Sequence, residues 1–161
     1  MIENKQSATE DDFFGDDSSS DEAPPNNRSG ARQVALQALY WQASSSGKAN
    51  AAVDELCQRF ALSKKTSAFA NELVSQVNTD LDSIDALIAE TSTRWSPERI
   101  ARVDRLILRL ALAEILHIDD VPPRVSISEA VNLAKAFSTE KSYAFVNGIL
   151  DAIARRKGLT N

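Results

Sequence analysis

Phe145 stands in the stretch STEKSYAFVNGILDAIARRKG, with Lys141 four residues before it and Arg156 eleven after it. At about 100° per residue, Lys141, Phe145, Ala152 and Arg156 share one flank of a helix. That flank lies about 90° from the stripe of Val146, Ile149, Leu150 and Ile153 that such a helix must bury. An aromatic ring at the rim of a core, beside cations, can stack a base while the cations meet phosphates. Single-stranded RNA is held in this way. The same spacing also fits a half-buried phenylalanine covered by the stems of its basic neighbours, and the helix alone leaves both readings open.

A second strip appears in NNRSGARQVALQALYWQ, residues 26–42. Val34, Ala35, Ala38 and Trp41 form one face of this helix. Ser29, Gln33, Gln37 and Tyr40 line another, reached from the side by Arg28 and Arg32. Glutamine presents donors and acceptors to base edges, and arginine matches phosphate. Neither strip is strongly basic, so any RNA contact is expected to be modest and shared with a partner.

The residues of catalysis are not gathered anywhere. His117 is the only histidine and Cys57 the only cysteine, and both read as structural, Cys57 as a small core residue. There is no phosphate-binding glycine loop, nucleophile elbow or paired metal-ligand motif. The expectation is a protein that is not an enzyme, with no catalytic residue, cofactor or metal. A single cysteine fits a reducing compartment. No run approaches the roughly 18 apolar residues of a membrane span, and the acidic N-terminus is unlike a signal peptide. The expected location is the cytoplasm.

The net charge of −5 hides two unlike regions. Residues 1–27 carry eight acids and one lysine, a net −7, whereas residues 28–161 carry 17 basic and 15 acidic side chains, a net +2. Rich in Asp, Ser and Pro, with Phe13 and Phe14 as its only large apolar pair, the first segment buries too little to offset its ordering entropy. It is expected to be a disordered acidic tail, 1–27, ahead of a helical domain, 28–161. Joining the domain just before Arg28 and Arg32, it is placed to compete with phosphate there.

Beyond Arg28 the periodicity is helical. Helices are expected over about 29–43, 50–60, 64–77 (capped by Ser63), 80–91 and 102–117, then 127–137 and a last one from Ser138 or Thr139. SPER (96–99) reads as a helix start, with a serine cap and proline in the first turn. Ser126 and Glu129 have capping-box spacing. The helix over 102–117, apolar on most sides, is expected to be the central one. The fold class is all-α, about seven helices in two small packed bundles.

Four blocks, ARQVALQALYW, RWSPERIARVDRLILRLALAEIL, DVPPRVSISEAVNLAKAFS and FVNGILDAIAR, resemble successive blocks of the NusB transcription antitermination family. They come in the family's order and spacing, over about residues 28–157, with the acidic tail outside the match. The resemblance implies a seven-helix protein that regulates transcription of ribosomal RNA. It would bind the boxA element of nascent leaders together with NusE, a small-subunit ribosomal protein acting as a transcription factor, and join the elongating RNA polymerase. The RNA-facing residues it implies are Arg28, Arg32, Gln37 and Tyr40 in the first helix and Phe145 in the FVNG block. Lys141 joins them as a departure, because the family usually carries an acid there. In return, the family's dense arginine lead-in is here reduced to Arg28 and Arg32. The implied NusE-facing residues are Asp104 and Glu129, on a face expected to differ from the RNA face. Family members occur as monomers and as homodimers, so a homodimer is compatible. Two rivals stay open. One is an RNA-binding module related to RNA cytosine methyltransferases, although the chain runs to Asn161 without such a domain. The other is a helical scaffold that binds protein only, and exposure of Phe145 separates it from the RNA readings.

Overall fold

The computed structural model describes residues 22–93 and 97–159. Seven α-helices are present among them: α1 (Arg28–Ser44), α2 (Ala49–Arg59), α3 (Lys64–Thr79), α4 (Leu81–Thr91), α5 (Arg102–His117), α6 (Pro123–Phe137) and α7 (Ser142–Arg156). No strand occurs among the described residues. Helices α1, α2 and α3 pack on one another, and α4, α6 and α7 gather around α5. Apart from α2, every helix packs on α5, the arrangement expected of a helix apolar on most sides. Its Val103, Leu106, Ile107, Leu110 and Leu112 are buried. Among the described residues no helix is long and apolar enough to cross a membrane.

Local chemistry sets the helix ends. The Ser63 hydroxyl accepts from the Thr66 amide at 3.2 Å, capping α3 as its position predicts. Asn27 caps α1 by accepting from the Gly30 amide at 2.9 Å. Gly30 has to be glycine, because a Cβ there would lie 1.6 Å from the Pro25 carbonyl oxygen. The chain thus folds back over the first turn of α1 before entering it. Asn26 extends this docking by accepting from the Ser63 amide and the Thr66 hydroxyl. The folded unit therefore takes in the last residues of the segment expected to be tail. The remainder of that segment, residues 1–21, lies outside the described residues, as does Ser96.

Three expected starts differ from the structure. SPER does not open the long helix: Pro97–Arg99 forms a separate 3₁₀ turn. The chain then buries Ile100 and passes through an extended Ala101 before α5 begins. Helix α6 starts at Pro123, with Pro122 extended ahead of it, as a residue before proline prefers. Ser126 is consequently inside the helix rather than its cap. The last helix starts at Ser142, because Ser138 closes α6 through its amide to the Ala134 carbonyl. Trp41 also departs from its expected face. It is exposed, and its ring covers Gly47, where a Cβ would meet it at 1.9 Å.

The two residues read as structural are so placed. Cys57 is buried, and that burial pushes its thiol up. His117 Nε2 sits 2.9 Å from Asp80 Oδ2 at the α3–α4 junction, and its hydrogen bond holds the Asp80 carboxyl below the usual range.

Candidate RNA-binding groove and the first helix

The α5 start, the 3₁₀ turn and the α7 start meet at a groove of about 220 Å³ lined by Arg99, Ile100, Ala101, Asp104, Lys141, Ser142 and Phe145. Val146, Leu150 and Ile153 are buried and fix the rotation of α7. That rotation leaves Phe145 half-buried, packed against the core on one side and lining the groove on the other. Lys141, just before α7, is exposed, as is Arg99. Neither makes an ion pair or hydrogen bond with a described residue. The ring thus has two available cations beside it. One is not the expected one: Arg156 turns to Glu90 at 3.4 Å and does not line the groove, while Arg99 does. A helical wheel could not find Arg99, which sits outside any α-helix; its one signal was position, three residues before α5.

Asp104 forms part of the groove wall, but its carboxylate is committed. It is 7% exposed. One oxygen accepts from the Ser138 hydroxyl at 2.6 Å and the other from the Ser142 hydroxyl at 2.9 Å. Thr139 lies 2.8 Å from the same Ser142 hydroxyl. This hydroxyl cage binds the first turn of α5 to the α6–α7 junction and so shapes the groove. The expectation that Asp104 and Phe145 belong to different faces is corrected, because the two line one groove.

The first helix differs more from its expected strip. Arg32 points inward and is 5% exposed. Its Nε and Nη2 donate to the two oxygens of Glu114 at 2.7 and 2.8 Å, and its Nη1 donates to Glu129 at 2.8 Å. Glu114 also accepts from the Ser126 hydroxyl at 2.6 Å, and Glu129 accepts from the Ser29 hydroxyl. Burial alone would lower the pKa of Arg32. The hydrogen bonds and charges of Glu114 and Glu129 outweigh it and raise the value above the ordinary one. The cluster fastens α1 to α5 and α6. It also explains why the apparent capping box fails, since both of its side chains serve partners distant in sequence. Arg32 is therefore not a surface cation, and Glu129 is turned toward α1.

Arg28 remains half exposed, but its Nη2 donates to Asp120 at 2.9 Å and its guanidinium lies 4.4 Å from the Phe69 ring centre. That hydrogen bond holds the Asp120 carboxyl below its ordinary value. Gln37 is half-buried. Tyr40 is buried, with the Arg102 guanidinium 5.5 Å from its ring centre. Of the six residues read as RNA-facing, Lys141 and Phe145 come together, and the four on α1 form a separate, largely engaged set.

Comparison with known proteins agrees with this architecture. A model of the NusB family matches residues 29–155. The transcription antitermination protein NusB of Citrifermentans bemidjiense is 43% identical over 135 residues, covering 79% of this chain and 93% of that protein. Among solved structures, NusB of T. maritima superimposes with a TM-score of 0.75 at 35% identity, covering 80% of this chain and 91% of that one. A crystal structure of the antitermination factors NusB and NusE in complex with dsRNA gives a TM-score of 0.73 at 28% identity, covering 80% and 96%.

Proposed function

The chain belongs to the NusB family, and from that membership we propose that it is an antitermination factor. It binds boxA-type RNA together with NusE and joins the elongating RNA polymerase. It works in the cytoplasm by binding rather than by catalysis. RNA and NusE each bind modestly, and each raises the other's effective concentration once both are held on the polymerase. The observation that carries the site assignment is the half-buried Phe145 beside Lys141 and Arg99, two cations without a partner among the described residues. In this reading Phe145 stacks a base while Lys141 and Arg99 meet the flanking phosphates. Arg28 and Gln37 add peripheral contacts from α1. Arg32 and Tyr40 serve the RNA indirectly, by holding that helix in place. Asp104 and Glu129 lie at the edge of the NusE contact, with Asp104 also shaping the groove.

The test is a titration of boxA-type RNA against the full chain, with and without NusE. Binding that tightens when NusE is present supports the reading. If RNA does not bind in either case while NusE does, the chain is a protein-only scaffold.

A further inference from the structure

A second, larger groove lies away from Phe145, between the start of α6 and the end of α7. It encloses about 470 Å³ and is lined by Pro122, Pro123, Arg124, Ile127, Asp151, Arg155 and Leu159. It shares no lining residue with the groove around Phe145. Its apolar lining is two prolines, Ile127 and Leu159, and Arg124 and Arg155 stand exposed beside them. Arg155 is largely exposed and, among the described residues, pairs with Asp151, one turn away on its own helix, at 3.1 Å. Arg124 is exposed and makes no ion pair with a described residue. A ligand suited to this site has apolar bulk at its centre and acids on both sides.

The chain carries such a segment: EDDFFGDD, residues 10–17, sets Phe13 and Phe14 between Glu10, Asp11 and Asp12 on one side and Asp16 and Asp17 on the other. We propose that residues 10–17 dock in cis into the groove between α6 and α7, with the two phenylalanines on its apolar lining and the acids against Arg124 and Arg155. This proposal is independent of the RNA assignment.

The geometry of the chain permits the docking. Residues 25–27 are held against the first turn of α1. The Arg28 guanidinium at that turn is bonded to Asp120 at 2.9 Å, and Asp120 is two residues before Pro122 of the groove. The first turn of α1 therefore lies beside the segment that leads into the groove, while Asn26 ties the lead-in to Ser63 and Thr66. Ten residue-to-residue steps separate Phe14 from Pro24. They reach about 33 Å when extended and average roughly 17 Å as a flexible chain, which amounts to a high effective concentration at the groove.

The other groove near the tail is less suitable. Asn26, Asn27 and Arg28 line it themselves. Its one aromatic, Phe69, is already covered by the Arg28 guanidinium. The arginines expected to draw the tail toward α1, Arg28 and Arg32, are both engaged within the fold.

The experiment attaches a nitroxide at Ser18→Cys in a Cys57→Ala background of the full chain and reads amide intensities by NMR. The background is first compared with the natural sequence for an unchanged spectrum. The proposal expects Arg124, Ile127 and Leu159 to lose most of their intensity, Lys65 to keep its own, and the loss to shrink as salt rises. Phe13→Ser with Phe14→Ser should restore the signals, as should Arg124→Glu with Arg155→Glu. These changes fall on the tail and on exposed side chains, so the folded core is left intact. Broadening centred on Lys65 and Thr66 would overturn the proposal in favour of the α1 side. Loss of signal only when spin-labelled chains are mixed with isotope-labelled ones would make a second copy the host and overturn docking in cis. No broadening, or weak broadening spread over the surface, would overturn docking altogether.

Discussion

The lead-in to α1 and the groove around Phe145 both present basic side chains in the sequence, yet the fold treats them in opposite ways. At α1, Arg32 is consumed by Glu114 and Glu129 and Arg28 is shared between Asp120 and Phe69. At the groove, Lys141 and Arg99 are exposed beside a half-buried ring, with no ion pair to a described residue. The first region uses its cations to join helices, and the second leaves them exposed without a partner among the described residues. A count of arginines along the chain therefore says little about where phosphate will bind. What matters is whether an acid elsewhere in the fold already answers each one.

Arg32→Ala should have the largest effect. It leaves Glu114 and Glu129 facing each other with no cation, and removing one partner of a buried ion cluster costs about 3–5 kcal/mol. The variant is expected to unfold at much lower denaturant than the natural chain, with Arg32→Lys rescuing little because Lys cannot make the two-pronged contact to Glu114. A variant that stays equally stable and loses RNA affinity would show that Arg32 faces the ligand after all.

Asp104→Lys comes next. It removes two charge-assisted hydrogen bonds, each worth about 1.5–3 kcal/mol, and places a cation inside the hydroxyl cage of Ser138 and Ser142. Because Asp104 and Phe145 line the same groove, NusE and RNA binding are expected to fall together, along with stability. Asp104→Asn, which keeps the shape, should retain most of all three. Loss of NusE binding alone, with RNA affinity intact, would separate the two faces again.

Phe145→Ala acts on the ligand more than on the fold. Losing a stacked base costs roughly 1–3 kcal/mol of RNA affinity, and Phe145 is only half-buried, so the helical content is expected to hold. A folded variant with unchanged RNA affinity would remove the groove from the RNA site.

The helices were legible because apolar periodicity survives packing. Phe69, Leu73, Val74 and Val77 of α3 are all buried, as their spacing requires, and Ser63 caps the helix it precedes. The rotation of α7 followed from the same logic and isolated Phe145 before any coordinates. Partners far apart in sequence were not legible. Ser126 and Glu129 have the spacing of a local cap, but their side chains go to Glu114 and Arg32, and no local pattern distinguishes the two uses. Arg99 was missed because a wheel describes only residues within a helix, and the turn that presents Arg99 is set by burying Ile100.

Lys141→Asp has a smaller expected effect and sets the groove directly against the first helix. Lys141 is exposed, so its attraction for a phosphate is screened beyond about 8–10 Å at ordinary salt. Replacing it with an acid should weaken RNA binding several-fold at low salt and little at high salt. If Lys141 neutralises one phosphate, the dependence of log affinity on log salt should become shallower by about 0.7 for a single strand. Arg28→Asp, the same reversal of charge, is the matched change in the other region. Arg28 is already held by Asp120 at 2.9 Å, so binding a phosphate would require giving up that partner, and its replacement should cost less affinity and alter the salt slope less. Salt titrations of the two variants rank the two regions against each other. A steeper loss for Arg28→Asp than for Lys141→Asp would invert the ranking and return the main phosphate contact to the first helix.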